Sequence, residues 1–237
     1  MATFLRFALL LLTFAPSAAF AAEPPTGTYH ALGGHGDMEI SKTPHGTRFV
    51  ISSMGANGHS CDLDGAVRNG VGVVPEDGDS GECRVAFKPV AGGYQVEALT
   101  PDECRQWCGA RGRFDYTYGR RPATCAEKAY QAEHDRFYGL YKAKRFGDAL
   151  AVATKLRAAC GAFQWFPEKD SLTNDIAVTL YHLQQPGKCL AELRTTMAWA
   201  YRTVEDARDS LPPFEADSYE TVAKSTITNR KLCEAAR

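Results

Sequence analysis

Eight cysteines follow an apolar leader in this chain of 237 residues: Cys61, Cys83, Cys104, Cys108, Cys125, Cys160, Cys189 and Cys233. An even set of thiols behind an export signal reads as a disulfide framework. The leader has the parts of such a signal. Arg6 supplies positive charge, residues 7–14 are apolar, and Ala19-Phe20-Ala21 has the small-x-small pattern of a cleavage site. The stretch is shorter than the ~20 residues of a membrane-spanning helix. Residues 1–22 are therefore assigned to a signal peptide, with a periplasmic or secreted product and no membrane span after cleavage. Zinc is the rival use of thiols, but Cys104-x-x-x-Cys108 has no second close pair at finger spacing, so no metal is expected.

Between residues 26 and 118 the texture is β. Residues 47–52, 83–88 and 94–99 alternate apolar and polar positions. Turn signals separate them: Pro44-His45-Gly46, Asn57-Gly58, Asn69-Gly70, residues 76–79 and Ala91-Gly92-Gly93. This spacing predicts five or more short strands in an antiparallel meander that closes into a small barrel or sandwich. Pro101 opens a short helix, ended by Gly109 or Gly112, and residues 114–118 add a last strand. The β domain is assigned to 23–121.

After Arg120-Arg121-Pro122 glycine thins out and the period becomes helical. Residues 123–144 with 147–160, and 170–184 with 187–203, read as two helix pairs. A final helix from about 215 to 235 caps them. The whole is α+β, a small antiparallel barrel or sandwich followed by an all-α domain over 122–237. If each pair is antiparallel, Cys125 lies beside Cys160, and Cys189 meets Cys233 on the last helix. Cys61 and Cys83 are expected on neighbouring strands. Cys104 and Cys108 share one helical turn, which is poor disulfide geometry, so another pairing among these four stays open. Each bridge stabilises by roughly 2–4 kcal/mol.

Few residues here promise chemistry. His30, His35, His45 and His59 fall early, with Asp37, Asp62 and Asp64 nearby, but their spacing matches no metal motif. Asp77-x-Asp79-x-Gly81 opens like a calcium loop, yet Lys88 stands where the bidentate glutamate belongs. There is no Gly-x-Ser-x-Gly elbow, phosphate loop or dinucleotide fingerprint, so no enzyme and no cofactor are expected. A net charge of -1 gives no footprint for nucleic acid. The most distinctive stretch interleaves arginines with aromatics: Arg105, Trp107, Arg111, Arg113 and Tyr116. These residue types dominate binding hot spots, so they are the expected contact residues for a protein partner in the envelope.

Two resemblances bear on this reading. Leu140-Tyr141-x-x-x-Arg145-Phe146-x-x-Ala149-Leu150 matches Leu180-Tyr181-x-x-x-Gln185-Pro186-x-x-Cys189-Leu190 forty residues on. The pattern resembles the tetratricopeptide repeat, whose usual period is ~34 residues. The resemblance implies a stacked helical scaffold for docking proteins, with Tyr141, Tyr181, Trp199 and Tyr201 in its core. The first half, with Gly27-Thr28-Tyr29 and the hairpin carrying Cys61 and Cys83, looks like the small periplasmic β-barrels of bacterial lysozyme inhibitors. Those insert a Ser-Gly-x-x-Tyr loop into the lysozyme cleft. The corresponding stretch here is Ser80-Gly81-Glu82-Cys83-Arg84, with arginine in place of tyrosine. The expectation is an exported, non-enzymatic interaction or inhibitor-type protein. The alternative is a periplasmic hydrolase or metal enzyme built on the early histidines and aspartates.

Overall fold

The computed structural model describes residues 23–75 and 81–236. The predicted leader and the acidic tip with Asp77 and Asp79 lie outside the described residues.

Among these residues eight strands form a closed antiparallel barrel in which each pairs with the next and the last returns to the first. They are β1 Gly27–Ala31, β2 Gly36–Thr43, β3 Gly46–Met54, β4 Ser60–Arg68, β5 Val71–Val74, β6 Cys83–Val90, β7 Gly93–Ala98 and β8 Thr117–Gly119. Alternation decides what points inward. Met38 and Ile40, Phe49 and Ile51, Leu63 and Val67, Val85 and Phe87, and Val96 are all buried, while the alternate positions face out. Phe49 and Phe87 meet edge to face with centroids 5.4 Å apart. Gly65 and Gly72 leave the room that the Phe49 ring fills. The interior is thus packed with side chains, as expected for eight strands. Asn69 and Gly70 both take positive φ, 52° and 76°, between the paired Arg68 and Val71. This is the turn whose twist suits a two-residue hairpin.

The connection from β7 to β8 does the unusual work. Among the described residues β5 pairs with 66–68 of β4, and no strand flanks the Cys61 end of β4 on that side. The gap is covered by α1 Pro101–Cys104 and a 3-10 turn, Arg105–Trp107. Cys83 bonds Cys104 and Cys61 bonds Cys108. The Gly109 amide donates to the Ser60 carbonyl at 2.8 Å. The expected Cys61–Cys83 bridge does not form, because β5 lies between their strands. The helix also stops at Cys104 rather than at Gly109 or Gly112, since its continuation is drawn onto β4.

The helical part holds α2 Glu127–Lys142, α3 Phe146–Cys160, α4 Phe166–His182, α5 Pro186–Leu193, α6 Val204–Ser210 and α7 Pro213–Ala235. α2 pairs with α3 and α4 with α5, and α7 packs on α4 and α5. Cys125 bonds Cys160, and Cys189 bonds Cys233. The two pairs turn alike. Lys144 and Gln184, forty residues apart, both sit at φ 59°. The Arg145 amide reaches the Leu140 carbonyl at 2.9 Å, and Gln185 reaches Leu180 at 3.0 Å. This is the left-handed helix ending normally given to glycine. Ala149 and Cys189, at matching places early in α3 and α5, are fully buried. Tyr141, Tyr181 and Trp199 pack against the main helical core, and Tyr201 against a smaller one beside α7.

The helix expected over 187–203 ends at Leu193. The Thr195 and Thr196 hydroxyls cap the Glu192 and Leu193 carbonyls. The next amides are taken by side chains: Met197 donates to Asp170 and Ala198 to the Tyr219 hydroxyl, each at 2.8 Å. A separate α6 follows, capped by Thr203, whose hydroxyl accepts from the Asp206 amide at 3.0 Å. No helix among the described residues is long and apolar enough to cross a membrane.

Candidate functional site

The loops at one end of the barrel carry most of the residues in question. They are the β1–β2 turn, the β3–β4 turn and the long β7–β8 connection. Two disulfides anchor that connection at Cys104 and Cys108. Beyond them, the Ser53 hydroxyl donates to the Arg113 carbonyl at 3.0 Å, and the Tyr116 hydroxyl donates to the Met54 carbonyl at 2.9 Å. Gly55 permits the backbone of Arg111 to come so near that a Cβ would collide with its carbonyl oxygen. Phe114 is buried in the barrel core, and its carbonyl accepts from Tyr118 at 3.0 Å.

On this frame the Arg113 guanidinium forks onto Asp115 at 2.9 and 3.0 Å and lies 5.3 Å above the Tyr116 ring. Tyr116 in turn stacks on His35. Burial raises the Tyr116 hydroxyl above its ordinary value. Burial, helped by the Arg113 charge, lowers His35, which keeps the stacked imidazole neutral. Arg105 and Arg111 are exposed. Arg105 and Arg113 share the wall of a cavity of about 310 Å³ with Phe114 and Asp115. Trp107 turns to the barrel core, where its buried Nε1 has no acceptor among the described residues. The five expected contact residues thus divide. Three arginines are presented outward, the Tyr116 ring lies under one of them, and Trp107 packs partly buried against the barrel core.

The early histidines separate. His30 and Asp37 face each other across β1 and β2, with Nδ1 and Oδ1 2.5 Å apart. His35 lies against Tyr116. His45 is at the opposite barrel rim, in a groove with Arg48 and Asp64, and His59 sits beside Gly109. Asp62 and Asp64 belong to β4. They point outward, Asp62 accepting from Ser52 at 2.7 Å and Asp64 paired with Arg48. No group of three or more His, Cys, Asp or Glu side chains suited to a metal occurs among the described residues.

The barrel end also meets the helices. The Gly33 amide donates to the Ala162 carbonyl at 2.8 Å. Gly34, at φ +74°, lies against the Trp165 backbone. The Glu215 carboxylate accepts from the Asn57 amide at 2.6 Å, and Phe214 packs on Gly58 and stacks on Trp165. Two adjoining cavities open along this seam. One, of about 340 Å³, includes His30, Asp37 and Trp165; the other, of about 330 Å³, includes Glu127, Tyr130 and Gln164. Arg121, Phe163 and Glu168 form part of both walls. Apart from His30 and Asp37, these residues carry no motif in the sequence. The only available signal was the helical spacing of Glu127, Tyr130 and His134, which sets them on one face of α2.

Comparison with models of known families, with curated proteins and with solved structures gives no match for this chain.

Proposed function

We propose that this is an exported, non-enzymatic binding protein of the bacterial envelope, of inhibitor type, that engages an acidic protein surface through Arg105, Arg111 and Arg113. The observation that carries the reading is the fixation of the β7–β8 connection by two disulfides, with Arg113 held between Asp115 and Tyr116. A loop ordered before it meets its partner loses little entropy on binding. Guanidinium groups pair with carboxylates in fixed, forked geometry. Four disulfides are consistent with an oxidising compartment. The matched helix turns at Lys144 and Gln184 support a tetratricopeptide-like scaffold behind the barrel.

The test is affinity capture from envelope extract with mature protein, beside a variant carrying Arg105→Glu, Arg111→Glu and Arg113→Glu. A partner retained by the first and lost by the second, with salt-dependent affinity, supports the reading. Equal retention by both sinks it. The hydrolase alternative has the His30–Asp37 contact in its favour. It would replace this reading if purified protein turned over a substrate and His30→Ala abolished the turnover.

A further inference from the structure

We propose that the seam cavity lined by Arg121, Glu127, Tyr130, Phe163, Gln164 and Glu168 binds a small organic cation bearing N–H donors, a primary ammonium or a guanidinium. It uses residues apart from the arginine loop and goes beyond the reading above.

The walls hold an excess of acceptors. Gln164 is only 7% exposed, and its amide nitrogen donates to the Tyr130 hydroxyl at 2.8 Å. Its carbonyl oxygen is buried with no donor among the described residues. A buried acceptor without a donor costs free energy until a partner is supplied. Glu127 and Glu168 add two carboxylates against the single guanidinium of Arg121. Burial, and then repulsion from Glu127, raises the Glu168 carboxyl despite the Trp165 amide and Arg121. A cation bound beside it would act against the Glu127 repulsion. His134, also on this wall, is engaged with Asp175 through Nε2 at 3.2 Å. The rings of Tyr130 and Phe163 complete the wall, and aromatic faces attract cations. A ligand with N–H donors and positive charge would satisfy the amide carbonyl, offset the carboxylate repulsion and lie against the rings. An anion would meet two carboxylates, and a neutral polyol would leave their repulsion in place.

The experiment is calorimetric titration of the mature, disulfide-bonded protein with 1,5-diaminopentane and, separately, with the capped peptide Ala-Lys-Ala. Glutarate and glucose serve as comparison ligands. Saturable binding of an amine is expected, weakened by roughly tenfold or more in Glu127→Gln and in Glu168→Gln, since charge-assisted hydrogen bonds are lost. Binding of the diamine identifies a free small molecule as the source, and binding of the peptide alone identifies a lysine side chain. Gln164→Leu should also weaken binding. Near-ultraviolet dichroism matching the parent protein separates loss of the site from loss of the fold. Preference for glutarate or glucose, no amine binding up to about 10 mM, or unchanged affinity in folded Glu127→Gln and Glu168→Gln overturns the proposal. Because the arginine loop is untouched, retention of the captured partner by these variants reports on that separate reading.

Discussion

His35 lies flat against Tyr116, ring centroids 4.7 Å apart and planes 10° from parallel. The pair joins the β1–β2 turn to the arginine loop. It also makes the junction sensitive to acid. Burial and then Arg113 hold the folded His35 below its ordinary value. The unfolded chain therefore takes up the proton first, near pH 6.5. The stability owed to this stack is complete above that pH and falls as the pH drops through it. His35→Phe, which keeps a stacking ring and removes the titration, should flatten the decline in melting temperature between about pH 7 and pH 5. An unchanged slope would show that other groups set the acid response.

Removing the Tyr219 hydroxyl should loosen the helical part. This hydroxyl donates to Asp170 at 2.5 Å and accepts the Ala198 amide at 2.8 Å. Tyr219→Phe leaves both groups short of a buried partner. Chemical denaturation should show a loss of about 1–3 kcal/mol. The Asp170 carboxyl, already raised by burial and lowered again by Tyr219, should move further up in the variant, as read by carboxyl NMR titration.

Gly34→Ala should strain the seam. The residue holds φ +74°, and a Cβ there would collide with the Trp165 nitrogen. A destabilisation of more than about 1 kcal/mol is expected, with a change in Trp165 environment seen by fluorescence. Gly147→Ala is the contrast. It lies in α3 with nothing within 4 Å of the added carbon, so stability should hold or rise by a few tenths to about 1 kcal/mol.

The disulfides should differ in what they control. Replacing Cys61 with Cys108, or Cys83 with Cys104, by alanine pairs should each cost about 2–4 kcal/mol and speed amide exchange across residues 105–116. The Cys125 and Cys160 pair should cost a similar amount, about 2–4 kcal/mol, while leaving that exchange unchanged. Equal effects on the arginine loop would show that its order does not come from the barrel bridges.

What could be read in advance followed from local periodicity. Alternation placed Phe49 and Ile51, and Val85 and Phe87, on one face without knowledge of their neighbours. Asn69-Gly70 announced its own turn, and the similarity of residues 140–150 to 180–190 is visible in the matching helix ends. What escaped depends on distant chain. The Cys61 partner turns on the shortness of β5, which composition does not reveal. The break after Leu193 depends on Asp170 and Tyr219, from α4 and α7, claiming backbone amides. The seam cavity needs Arg121, Tyr130 and Gln164 together, and only tertiary folding assembles them.

The Cys61–Cys108 bridge encloses the Cys83–Cys104 bridge along the chain. A polypeptide emerging amino end first exposes Cys61 and Cys83 before either final partner exists. An oxidant acting at once would join these two early arrivals, and thiol exchange would then have to reshuffle them, a process of seconds to hours without a catalyst. Maturation of this barrel is therefore expected to draw on an isomerase as well as an oxidase, and yield in a host lacking isomerase activity should suffer before any loss of intrinsic stability is seen.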